Sequence, residues 1–127
     1  MRFIPTRIHG VLDYLVGVLL IAAPWLLGFA DVDAARWVPV ILGIGAILYS
    51  LVTRYEFGLA GLISMPVHLG LDALSGLVLA ASPWLFGFAD EVWLPHLLLG
   101  LFEICAALTT RTTPGIGSES HGTGVTA

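Results

Sequence analysis

The sequence predicts an all-α membrane protein with four transmembrane helices, arranged as two tandem helical hairpins of like direction. Three observations predict it. Of 127 residues, 57% are hydrophobic and only 11% charged, and the mean hydropathy is +0.95. A soluble domain carries about 25% charged residues, so the shortfall points to lipid as the main solvent. The apolar residues gather into four runs. The chain also says one thing twice: His9–Asp31 reads HGVLDYLVGVLLIAAPWLLGFAD and His68–Asp90 reads HLGLDALSGLVLAASPWLFGFAD, with 14 of 23 aligned positions identical at a constant offset of 59. A self-match of this kind fixes the structural unit before any element is assigned.

The apolar runs cover about 8–23, 37–53, 67–82 and 92–109, and each holds 16 to 18 residues. As α-helix that is ~24–27 Å, at the short end of what crosses a ~30 Å hydrocarbon core. The Pro-Trp-Leu-(Leu/Phe)-Gly-Phe-Ala stretches dip into the interface and cover the deficit. Backbone polar groups in lipid must bond internally, which these segments can do only as helices. The alternating polarity of a membrane strand is missing.

The second halves of the two units also align. Trp37-Val38-Pro39 matches Trp93-Leu94-Pro95, Gly43 matches Gly100, and Thr53-Arg54 matches Thr110-Arg111. A proline in the first turn of a helix loses no intrahelical bond, so each Trp-x-Pro is expected to start the second helix of its hairpin. The membrane domain is therefore 1–111, with one unit at about 8–54 and the other at about 67–111. The connection 54–66 is too short and too interrupted by glycine for another span and reads as interfacial. The Gly/Ser/Thr-rich stretch 112–127 is expected to be a disordered cytoplasmic tail, with His121 exposed in it.

Lysine is absent, and the five basic residues are arginines. Arg2, Arg7, Arg54 and Arg111 fall on one side of the spans. Arg36 stands alone on the other, among Asp31, Asp33, Asp90 and Glu91. The positive-inside rule places both termini in the cytoplasm. Two spans per unit make the units parallel, with their symmetry axis along the membrane normal. Arg2, Arg7 and the first apolar run imitate a signal peptide. Asp13 inside that run, and its close copy at 68–90, argue against cleavage.

The net charge of −4 and the lack of a basic face exclude a nucleic-acid partner. One cysteine, Cys105, excludes an internal disulfide, a CxxC redox pair and a cysteine-rich metal site. No Gly-x-Ser-x-Gly, phosphate loop, His-Glu-x-x-His or dinucleotide fingerprint occurs.

Three sets of residues could carry chemistry. Pro24, Trp25 and Gly28, with Pro83, Trp84 and Gly87, form duplicated corners, with Trp37 and Trp93 across the loops. Prolines there end or kink the helix, tryptophans anchor in the headgroup layer, and glycines let the chain reverse. His9 with Asp13, and His68 with Asp72, are spaced i, i+4, so each pair shares a helix face. A carboxylate at that depth must be paired, wet or protonated. We read the pairs first as a latch, either within one helix or across the two units. The competing reading is a site of two His and two Asp that binds a divalent metal such as zinc or iron, or passes protons. Glu103, near the middle of the fourth run, has no duplicate; it reads as a protonated acid bonded to a neighbouring helix, or as part of that site. His96 reads as interfacial.

Ala23-Pro24-Trp25 and Ser82-Pro83-Trp84, each followed by Gly-Phe, resemble the SPW repeat family of prokaryotic membrane proteins. The resemblance covers roughly 8–110. It implies a two-helix unit, often in tandem, in a prokaryotic cell (inner) membrane, and it implies no reaction. Ala23 departs from the tripeptide, which argues against an essential serine hydroxyl. The function expected is a non-enzymatic structural or accessory role, with no catalytic residue, cofactor or resident metal. The lipid bilayer is its partner, with a sister subunit or a larger membrane protein beside it. The alternative is a small transporter or a proton- or metal-handling protein using His9, Asp13, His68, Asp72 and Glu103.

Overall fold

The computed structural model describes residues 1–115. Four α-helices follow one another: α1 Thr6–Leu26, α2 Asp33–Leu51, α3 Met65–Leu85 and α4 Leu94–Thr109. Helices α1 and α2 form one hairpin and α3 and α4 another, and α2 packs against α3. Among the described residues, α1, α2 and α3 are long and apolar enough to cross a membrane; α4 is equally apolar but holds 16 residues, or ~24 Å.

The bundle is apolar outside and polar inside. Leu15, Val18, Leu74, Leu77 and Leu98 face outward and are each more than half exposed, while His9, Asp13, His68, Asp72 and Ser50 are buried. Such a surface suits lipid. Each hairpin closes on a pair of glycines: a Cβ on Gly43 would lie 2.6 Å from the Gly17 carbonyl oxygen, and one on Gly100 2.5 Å from that of Gly76. Only glycine permits that backbone approach.

The prolines sit deeper in the helices than the sequence suggests. Pro24 and Pro83 do not end α1 and α3, which run two residues further, to Leu26 and Leu85. That brings each Pro-Trp-Leu into its helix and lengthens it to 21 residues, or ~32 Å. The turn that follows closes as a Schellman-type bond: Phe29 N–H donates to Pro24 O at 2.9 Å and Phe88 N–H to Pro83 O at 2.8 Å. Gly28 (φ 78°) and Gly87 (φ 75°) supply the left-handed residue this needs.

Nor does Trp37-x-Pro39 start α2, since Asp33 does. Arg36 holds the extra first turn: its N–H donates to Val32 O, and its guanidinium to Ala30 O at 2.6 Å and Asp33 Oδ1 at 2.9 Å. Trp93-x-Pro95 does fall at a start, with Trp93 the N-cap residue of α4.

At the arginine-bearing end, the short stretch before each hairpin lies beside the end of the other. Arg111 N–H donates to Ile4 O (2.9 Å), and Ile4 N–H to Thr109 O (2.9 Å). Arg54 N–H donates to Ile63 O (2.8 Å), and Ile63 N–H to Val52 O (3.0 Å). At this end Gly115 N–H donates to Glu56 Oε1 at 2.8 Å. The rest of the expected tail, including His121, lies outside the described residues.

Candidate functional site

His9 and Asp13 lie on α1, and His68 and Asp72 on α3, near the arginine-bearing end. The i, i+4 spacing turns both members of each pair to the same side, and packing of the hairpins brings the two pairs face to face. His9 Nε2 lies 2.7 Å from Asp72 Oδ2 and 2.9 Å from Asp13 Oδ1; His68 Nε2 lies 3.0 Å from Asp13 Oδ2 and 3.2 Å from Asp72 Oδ2. Each histidine thus meets the aspartate of its own helix and that of the other hairpin. The four residues are at most 8% exposed.

The outer nitrogens of the imidazoles fix the tautomers. Thr110 Oγ1–H donates to Ala106 O at 2.6 Å, and Thr53 Oγ1–H donates to Tyr49 O at 2.6 Å. With their hydrogens committed, these hydroxyls can only accept from a histidine. Hence His9 Nδ1–H donates to Thr110 Oγ1 (2.7 Å), and His68 Nδ1–H donates to Thr53 Oγ1 (2.7 Å). Both bonds cross between hairpins, in reciprocal fashion. The carboxylates are held by tyrosines: Tyr55 donates to Asp13 Oδ2 at 2.9 Å, and Tyr49 donates to Asp72 Oδ1. One ligand atom from each of the four residues lies within 4.8 Å of the others.

His68 Nε2 is peculiar. Its side chain is wholly buried and two carboxylate oxygens lie within ion-pair distance, yet neither lies in line with the nitrogen's outward direction in the ring plane, so it makes no hydrogen bond. Angle as well as distance decides a hydrogen bond at this range.

Glu103 of α4 borders the same place. A cavity of about 20 Å³ is lined by His9, Asp13, Asp72 and Glu103 together with apolar side chains such as Leu12 and Phe102. One water needs roughly 10–15 Å³ of such space. Glu103 Oε2 is buried with no protein partner among the described residues.

At the opposite end His96, in the first turn of α4, is buried, at 1% exposure. Its ring sits between Phe29 and Phe88, with centroids 4.9 and 4.8 Å away, and Nε2–H donates to Ala35 O at 2.9 Å. That carbonyl is the one Pro39 cannot serve, because Pro39 lacks the N–H that would bond four residues back. The tryptophans face outward: Trp25, Trp37, Trp84 and Trp93 are all 44% exposed or more.

The serine of Ser82-Pro83-Trp84 acts the same way within its own helix. Ser82 Oγ–H donates at 2.7 Å to Leu79 O, the carbonyl stranded by Pro83. In α1 the corresponding residue is Ala23, which has no hydroxyl.

Sequence reasoning brought out the two His/Asp pairs and Glu103, and missed Thr53, Thr110, Tyr49 and Tyr55. The matched Thr53-Arg54 and Thr110-Arg111 were a usable signal for the threonines. The tyrosines are unmatched between the units and gave none.

The fold and site define a small multi-helix, membrane-type bundle closed around a buried His₂Asp₂ quartet. The chain belongs to the SPW repeat family, since the SPW repeat domain matches residues 7–110. No curated protein and no solved structure matches the chain.

Proposed function

We propose that this is a non-enzymatic, multi-pass protein of the prokaryotic inner membrane with a structural or accessory role, in which the quartet joins two tandemly duplicated hairpins. One observation carries the reading: apart from His68 Nε2, the polar atoms of the quartet are turned on the protein's own groups, and the cavity beside them has space for about one water. An organic substrate needs a pocket of roughly 300 Å³ or more. Beyond the quartet the hairpins close on Gly17, Gly43, Gly76 and Gly100, with Leu20 and Leu79 wholly buried. That packing supports a joint over a conduit. Arg2, Arg7, Arg54 and Arg111 at one end support cytoplasmic termini.

A second reading, proton or metal handling, is favoured by Glu103 sharing the quartet's cavity. Proteoliposomes carrying pH- and zinc-sensitive dyes separate the two. The joint reading expects no flux above empty vesicles. Flux lost in Glu103→Gln overturns it. Impermeant thiol labelling of cysteines placed at Asp31 and Asp90, in a Cys105→Ala background, should mark the side opposite to one placed at Arg54. Labelling on the same side refutes the topology.

A further inference from the structure

We propose that His9, Asp13, His68 and Asp72 form a closed divalent transition-metal site that holds zinc. This deepens the joint reading and rests on it: the ion becomes the rivet between the hairpins.

Three observations carry the site. The first is the supporting shell. Metal-bound imidazoles commonly donate their second N–H to a fixed acceptor, which sets the tautomer and aims the lone pair at the ion. Thr110 and Thr53 play that part for His9 and His68, and their own hydroxyl hydrogens are tied to carbonyls one turn back. Tyr55 and Tyr49 hold the carboxylates likewise. The second is His68 Nε2, buried and aimed into the cluster without a hydrogen bond. A lone pair there serves a metal better than an N–H serves either carboxylate. The third is charge. Once the imidazoles are neutral, as metal ligation requires, they and the two carboxylates carry −2, which a divalent cation cancels where an uncompensated charge is costly.

The donor set narrows the ion. Imidazole with carboxylate and no thiolate suits zinc or ferrous iron over cuprous copper. Four protein ligands leave no open position, which is the pattern of structural zinc. Tetrahedral bonds of ~2.0 Å put neighbouring ligands about 3.3 Å apart. The nitrogen–oxygen separations of 2.7 to 3.2 Å therefore open by a few tenths of an ångström around the ion, while the widest pair of ligand atoms, up to 4.8 Å apart, closes by about 1.5 Å. Glu103 lies outside the ligand set.

The test is metal analysis of the detergent-purified full chain after incubation with Zn²⁺, and the visible spectrum after Co²⁺ substitution. The expected result is one zinc per chain and a tetrahedral-type cobalt band. His9→Ala/His68→Ala should lose both, and Glu103→Gln should keep both. Thr53→Val/Thr110→Val should keep the stoichiometry at saturation with affinity lowered ~10–100-fold. That pair preserves all four ligands, so it decides the matter if the histidine variant does not fold. A helical, monodisperse wild type that takes up no zinc overturns the site. So does zinc retained undiminished by a folded His9→Ala/His68→Ala protein, or an octahedral cobalt spectrum. A metal-free protein without flux leaves the joint reading standing, whereas flux fails that reading whatever the metal content.

Discussion

His96 donates to the backbone carbonyl of Ala35 that Pro39 leaves without a helical partner, 2.9 Å away and across the interface between the hairpins. The two residues are complementary: one removes a donor from α2, and the other returns it from α4. His96→Leu should therefore strand the carbonyl and cost about 1–2 kcal/mol. Pro39→Ala supplies the missing N–H, so in that background the same His96 change should cost much less. A double-mutant cycle read by unfolding in detergent should give a coupling of about 1 kcal/mol. Additive effects would mean that His96 is held by Phe29 and Phe88 packing alone.

The threonine–histidine bonds near the other end predict a matched pair of losses. Thr110→Val leaves the His9 Nδ1–H buried without an acceptor, and Thr53→Val does the same to His68. Each should lower stability by about 1–3 kcal/mol, and Thr→Ser should restore most of it. Unfolding midpoints of the four variants check this. If valine is harmless at both positions, the tautomer assignment is wrong.

Ser82 explains a departure between the two hairpins. Its hydroxyl repairs the carbonyl stranded by Pro83, and Ala23 cannot do this for Pro24. Ala23→Ser should then stabilise the protein by about 0.5–1 kcal/mol, and Ser82→Ala should destabilise it by a similar amount. Opposite signs in the two melts are the signature. A loss in both would show that the buried Ala23 site has no room for the oxygen.

Much of the architecture was legible because its causes are local or repeated. Four apolar runs and a match at offset 59 specify hairpins, and i, i+4 spacing puts His9 with Asp13 and His68 with Asp72. The helix limits were less legible. Pro83 and Pro39 read as boundaries, but a proline inside a helix is tolerated where the carbonyl it frees finds another donor, as Leu79 O finds Ser82. For Pro39 that donor is His96, 57 residues later. Similarly, nothing local says that Tyr49 reaches Asp72 or that Tyr55 reaches Asp13, because those contacts exist only once two hairpins pack. The pairing of Ile4 with Thr110 and Ile63 with Thr53 is likewise a tertiary fact, carried by residues with no distinctive chemistry.

Glu56 sets a pH dependence at the arginine-bearing end. Its carboxylate accepts from the Thr6 hydroxyl at 2.8 and 2.9 Å and from Gly115 N–H at 2.8 Å. Partial burial works to raise its pKa, but its own backbone N–H, Thr6, Gly115 and nearby Arg7 outweigh that and hold it below the ordinary 4.5. A depressed carboxylate contributes stability that is complete above the unfolded pKa and is lost as pH falls through the folded one. Glu56 is only partly buried, so the contribution is small, about a few tenths of a kcal/mol after solvent screening. Wild type should therefore melt slightly above Glu56→Gln at neutral pH, with a gap that stays constant down to about 4.5 and closes below it. Subtracting the variant removes every other titrating group from the comparison. Added salt should narrow the neutral-pH gap only in part, because it screens Arg7 but leaves the short donations from the Thr6 hydroxyl and Gly115 N–H. A gap that widens on acidification would mean that Glu56 is held protonated, and that these donors do not set its charge.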